Sequence, residues 1–300
     1  MVSVYPLSLT PPDGEEEDSV RSVKVFPPLA GEGWSGEGCK VMGVLNITPD
    51  SFSDGGHYLA LETALRRAET MLAEGAAIID VGGESTRPGA LPVSAQEELD
   101  RVLPVVERLV REIPIPISVD TSKPEVIREA ARIGAGMIND VRALCLPGAL
   151  EAAAASGLPV CLMHMQGNPS TMQKEPYYTD VLAEIRAFLI ERVGACERAG
   201  ISREQILVDP GFGFGKTLDH NLILLRHLKR FTGLAAGVMV GLSRKSIIGL
   251  LLDAPIDKRM AGSLAAAVIA AWQGACIVRV HDVRETVQAL RICAAVQAMD

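Results

Sequence analysis

No CxxC pair occurs among the six cysteines, which stand at positions 39, 145, 161, 196, 276 and 293. That absence removes zinc ribbons and thioredoxin-like redox motifs. Cys161 and Cys276 sit inside apolar runs and read as small core residues, which suits a reducing, cytoplasmic setting. No block of Lys and Arg is present either, and the net charge is −8. A nucleic-acid surface needs a basic face, so that class is excluded. Any anionic ligand must then be held by a few local cations. No apolar run reaches the roughly 18 residues that a membrane span requires. The N-terminus, "MVSVYPLSLTPPDGEEEDS", lacks the basic start and apolar stretch of a secretory signal. No G-x-G-x-x-G turn follows the first apolar run, which weighs against an open dinucleotide-binding sheet. "DPGFGFGKT" (209–217) is not a phosphate loop, because Pro210 stands where that motif needs its first Gly. Its glycines read as a loop that brings backbone close to a flat ligand.

What is present is a rhythm. Residues 1–38, with an acidic run (Glu15–Asp18), several Pro and the Gly-rich "AGEGWSGEG", form an extension assigned no chemistry. From 39 to 300, eight short apolar runs alternate with helical patterns: "KVMGVL", "AAIIDV", "IPISVD", "AGMIND", "PVCLMH", "QILVD", "GVMVGL" and "ACIVRV". Between them lie segments whose apolar residues recur at three and four. Several close on Gly, at 75, 134, 200 and 274, where a helix end favours that residue. Strands apolar on both faces and separated by helices imply a parallel sheet covered by helices. Eight such units at this length match a (β/α)8 barrel, a single α/β domain.

Nearly every run exits into polar chemistry: Asn46; Asp80 with Glu84, Thr86 and Arg87; Asp120; Asn139 and Asp140; His164 and Gln166; Asp209; Ser243, Arg244, Lys245 and Ser246; Arg279, His281 and Asp282. In a barrel these C-terminal ends converge on one mouth, where catalysis lies. Arg279, between Val278 and Val280, needs a partner, and an anionic ligand is one candidate. Asp80 lies within a strand and reads as a buried hydrogen-bonding group. His57 and His164 read as structural.

The motifs "VMGVLNITPDSFSDGG", "IIDVGGESTRPGA", "SVDTSKPEV", "GMINDV", "CLMHMQGNPSTMQ", "ILVDPGFGFGKT", "GLSRKS" and "RVHDVRE" resemble those of the dihydropteroate synthase family of pterin-binding enzymes. The likeness runs from about Lys40 to the C-terminus. It implies a transferase that joins p-aminobenzoate to 6-hydroxymethyl-7,8-dihydropterin diphosphate, with Mg2+ as cofactor and a homodimer as the assembly. By that resemblance Asp120, Asp209 and Lys245 are catalytic, and with Asn139, Met163 and Phe214 they receive the pterin. Asn46, Arg87, Arg279 and His281 hold the diphosphate, Asn46 also serving as the metal ligand. Phe52, Thr86, Pro88 and Ser246 meet p-aminobenzoate, and the loops 46–57 and 82–92 act as mobile covers. Two other readings stand beside this one: a methyltetrahydrofolate-binding methyltransferase domain, which shares the barrel, and a non-catalytic pterin-binding paralogue.

Overall fold

The structure is a computed structural model that describes residues 38–47, 57–86, 89–168, 171–172 and 174–299. Eight parallel strands close into a barrel in chain order. They are β1 (Lys40–Asn46), β2 (Ile78–Gly82), β3 (Ile117–Asp120), β4 (Met137–Asp140), β5 (Val160–Met163), β6 (Ile206–Asp209), β7 (Gly237–Val240) and β8 (Ile277–Val280). Closure is direct: Lys40 of β1 lies level with Ile277 of β8, and Gly43 with Val280. The eight apolar runs are therefore the eight strands, with ends shifted by a residue or two.

The helices are α1 (His57–Ala73), α2 (Ala95–Glu112), α3 (Pro124–Arg132), α4 (Ala149–Ser156), α5 (Val181–Arg198), α6 (Leu218–Arg226), α7 (Ser246–Leu252), α8 (Met260–Trp272) and α9 (Val283–Gln297). Their starts are built locally. Ser94 and Glu97 form a reciprocal capping box at α2, and the Asp180 carboxylate accepts from the Leu182 and Ala183 N–H groups at α5. Two differences from the sequence reading appear. The segment "LDHNLILLRHLKR" (218–230), whose apolar spacing predicts one helix, breaks at His227, which leaves the α conformation, and continues as a 3-10 turn over Leu228–Phe231. Helix α7, seven residues opened by a polar stretch, was not anticipated.

Strand alternation sorts the side chains into two cores. One set faces the helices: Val41, Ile79, Val81, Val119, Ile138, Leu162, Val208, Val240 and Val278 join the helix stripes in the main cluster. The other set fills the barrel interior as a separate dry layer of Met42, Ile78, Met137, Cys161, Leu207, Met239 and Ile277. Two residues further along five of these strands, on the same face, stand Asp80, Asn139, Met163, Asp209 and Arg279. The sequence thus places an apolar floor and a polar site one step above it.

Candidate active site

The site sits on that floor at the C-terminal ends of the strands. Its centre is Arg279. Its Nε donates to Asp80 Oδ2 at 2.5 Å, and its Nη2 donates to Asp120 Oδ2 at 3.0 Å. Asp80 is fully buried and also accepts from Asn139 Nδ2 at 3.1 Å. Its other oxygen, Oδ1, has no hydrogen-bond partner among the described residues. Burial works against the Arg279 charge, but Asp80 and Asp120 outweigh it and raise its pKa. Burial pushes Asp120 up to about 7; Arg279 opposes that shift, and the neighbouring acids Asp80 and Asp140 add to it. Gly82, level with both Asn46 and Asp120, lies between their side chains: a Cβ there would be in ordinary contact with both, 3.7 Å from Asp120 Oδ2 and 3.8 Å from Asn46 Oδ1.

Across the mouth lies the second half. Asp209 is buried, and its Oδ1 accepts from the Gly211 N–H at 2.7 Å. Burial raises its pKa, with Lys245 pulling the other way. Lys245 closes β7 onto α7. Its ammonium donates to the Phe212 carbonyl and stands 4.5 Å from the centroid of the Phe214 ring. Burial lowers Lys245 to about 8, with Asp209 opposing. Met163 is buried beside them, level with Asp209 on the neighbouring strand.

Of the predicted residues, Asp120, Asn139, Met163, Asp209, Phe214, Lys245 and Arg279 belong to strand ends and loops of this one mouth. Asn46 ends β1 with its side chain exposed. Thr86 lines a cleft with Glu84, Glu98, Asp120, Ser122 and Arg142. Ser246 opens α7 and is exposed. His281 lies next to β8, its Nδ1 3.1 Å from Ser243 Oγ. Phe52, Arg87 and Pro88, and most of the loop 46–57, lie outside the described residues. Asp140 is not a site residue: its oxygens accept from Ser122 Oγ and the Arg142 and Leu144 N–H groups, which cap the turn after β4. Arg244 and Asp282 pair with each other and shape the loop that carries Lys245.

Two glycines of "GFGFG" serve the protein's own packing, while at the third, Gly213, a Cβ would lie 3.3 Å from Lys245 Cδ. Gly211 and Gly215 have positive φ, and a Cβ there would lie 1.9 Å from the His164 carbonyl oxygen and 2.5 Å from that of Gln166. They let two loops of the protein pack backbone to backbone. A charge cluster was missed. Lys123 donates to both Glu84 and Glu98, and Glu98 is fully buried. The signal was present: Glu98 sits in the α2 stripe with Val102, Val105, Val106 and Leu109, where an acid has no apolar reason to be.

No group of three or more His, Cys, Asp or Glu side chains suited to a metal occurs among the described residues. No described helix is long and apolar enough to cross a membrane.

Comparison with known proteins shows the family and the fold. Residues 42–281 match the family described as "Pterin binding enzyme". The dihydropteroate synthase of Escherichia coli (strain K12) is 61% identical over 252 residues, covering 84% of this chain and 89% of that protein. A crystal structure of the Yersinia pestis dihydropteroate synthase with a sulfonamide drug complex is 56% identical, covers 87% of this chain and 95% of that one, and superposes with a TM-score of 0.83. A Xanthomonas albilineans dihydropteroate synthase with 4-aminobenzoic acid is 52% identical, with coverage of 87% and 94% and a TM-score of 0.81.

Proposed function

Because this chain belongs to the pterin binding enzyme family, and within it to the dihydropteroate synthases, we propose that it condenses 6-hydroxymethyl-7,8-dihydropterin diphosphate with p-aminobenzoate. The arylamine nitrogen bonds to the pterin methylene carbon. The C–O bond to diphosphate breaks with its electron pair on oxygen, and the arylamine gives up one proton. The observation that carries this reading is the convergence of Asp120, Asn139, Asp209 and Lys245 around Arg279 on an apolar floor. A dihydropterin offers ring N–H and amino donors along one edge. Two carboxylates and an amide oxygen supply acceptors, and Lys245 can donate to the ring carbonyl. Asn139 donates one of its two amide N–H groups to Asp80, which fixes the amide's orientation, and its oxygen can accept from a donor.

In this reading the C–O bond breaks early and leaves a methylene cation, which the buried carboxylates stabilise. Arg279 and His281, with Arg87, hold the departing phosphates. The donor set suits a metal that arrives with its substrate. A single exposed amide oxygen, on Asn46, fits Mg2+, which keeps waters and takes phosphate oxygens rather than an all-protein cage. Its chemistry there is neutralisation of the leaving group's charge. Thr86, Phe52, Pro88 and Ser246 would meet p-aminobenzoate, and sulfonamides, which mimic it, would compete. Loops 46–57 and 82–92 would cover the reacting groups.

The domain would span 39–300, with 1–38 as an extension, in the cytoplasm. A homodimer would form through α7–α9, which expose Leu250, Leu251, Met260, Ile269, Trp272 and Ile292. Light scattering tests that assembly. The decisive assay for function is diphosphate release that depends on p-aminobenzoate. A methyltransferase domain or a non-catalytic paralogue would release none.

A further inference from the structure

Lys216 has no role in the reaction described above, yet its surroundings are among the most fully specified in the molecule. Its side chain is buried at 3% exposure. An ammonium carries three N–H donors, and Nζ meets three acceptors: the Phe214 carbonyl at 2.9 Å, the His164 carbonyl at 3.3 Å and His164 Nδ1 at 3.1 Å. Two of the three belong to the exit of β5 and one to the exit of β6. Burial, with the charge of Lys216 adding to it, lowers His164 to about 3, so the ring stays neutral and Nδ1 can offer a lone pair. The imidazole is held edge-on against Phe188, with ring centroids 5.0 Å apart. Burial, with the Lys245 charge adding to it and Asp209 opposing, lowers the pKa of Lys216 well below its ordinary value; in either protonation state the Nζ contacts join two loops.

The loop so joined carries the pterin-facing groups. Between Gly211 and Lys216 it supplies the Phe212 carbonyl that accepts from Lys245 and the Phe214 ring beneath the Lys245 ammonium. Its path is tied at other points too. Asn221 Oδ1 accepts from the Gly213 N–H at 2.7 Å, and Tyr178 Oη donates to the Gly215 carbonyl at 2.9 Å. Phe214 itself is held at both ends of its backbone: its N–H donates to the Gly211 carbonyl at 3.1 Å, and its carbonyl accepts from Lys216. We propose that Lys216 is a positioning residue: by clamping the Phe214 carbonyl to the β5 exit, it fixes the place of the Phe214 ring and of the Lys245 ammonium that receive the pterin.

This inference rests on the dihydropteroate synthase reading and deepens it. Lys216→Met keeps the stem and removes the donors. The variant is expected to raise KM for dihydropterin diphosphate about ten-fold, while KM for p-aminobenzoate changes by less than about two-fold. A loss of thermal stability with both KM values unmoved would overturn the proposal and leave Lys216 a scaffold lysine. If Lys216→Met does not fold, two His164 variants decide. His164→Asn retains an acceptor near Nδ1, and His164→Leu has none. Pterin KM about three-fold higher in His164→Leu than in His164→Asn supports the clamp, and equal values overturn it. Wild-type enzyme that releases no diphosphate sinks the reading itself. Active wild type with an unmoved Lys216→Met pterin KM sinks only this inference.

Discussion

Arg279 reaches from β8 past β1 to Asp80 on β2, and with its second nitrogen to Asp120 on β3. One guanidinium thus neutralises two carboxylates on two other strands, one of them fully enclosed. Removing it leaves Asp80 an uncompensated buried charge. Arg279→Ala should destabilise the protein by roughly 3–5 kcal/mol, and adding Asp80→Asn should recover part of that loss. Urea unfolding of the two variants checks this; a double variant no more stable than the single one would refute the pairing as the cause.

The pH dependence of kcat/KM for the pterin substrate should be bell-shaped. Asp120 must be ionised to accept a ring donor, and burial holds it up at about 7. Lys245 must keep its proton to donate, and burial brings it down to about 8. The acid limb therefore reports Asp120 and the alkaline limb Lys245. Asp120→Asn should flatten the acid limb. The same raised carboxyl has a stability consequence. The folded state holds a proton that the unfolded chain releases, so the ligand-free protein should lose stability as pH climbs from the ordinary carboxylate range to about 7.

Asp209→Asn should weaken pterin binding by roughly 1.5–3 kcal/mol, about ten- to a hundred-fold, by removing the charge from a hydrogen bond. The amide oxygen can still accept from the Gly211 N–H, so the loop should stay in place. Calorimetry with free pterin measures the loss, and an unchanged melting temperature shows that it is local.

Gly211→Ala should be among the most damaging single-methyl changes. The backbone there has φ +72°, and the new carbon would fall 1.9 Å from the His164 carbonyl oxygen. Gly233→Ala, with φ +79° and no atom within 4 Å, carries the strain without the collision. Thermal melts should separate the two, Gly211→Ala melting far lower.

Lys123→Met should cost roughly 3–5 kcal/mol, because Glu98 is fully buried and loses its counter-charge. Lys123→Met with Glu98→Gln should be more stable than Lys123→Met alone. Chemical denaturation of both variants tests this.

The architecture was legible because each strand is a β-branched run and each exit is polar, so period and position agreed at all eight units. Asp80 was readable as a buried hydrogen-bonding residue, since nothing else explains a carboxylate between Ile79 and Val81. Its partner was not readable: Arg279 stands 199 residues away and reaches it only across the closed barrel. The close packing of Gly211 and Gly215 was not readable for a similar reason: the carbonyls they press against, of His164 and Gln166, lie just past β5, a neighbour that local sequence does not name. Helix α7 went unseen because seven residues opened by "SRKS" carry too little periodic signal.

The layer of Met42, Ile78, Met137, Cys161, Leu207, Met239 and Ile277 blocks the lower end of the barrel with sulfur and hydrocarbon. Ligands of the site therefore do not pass through that floor and come and go at the C-terminal rim. Whatever is made inside must back out the way its precursors came in, so a lingering product obstructs the next round for both reactants alike.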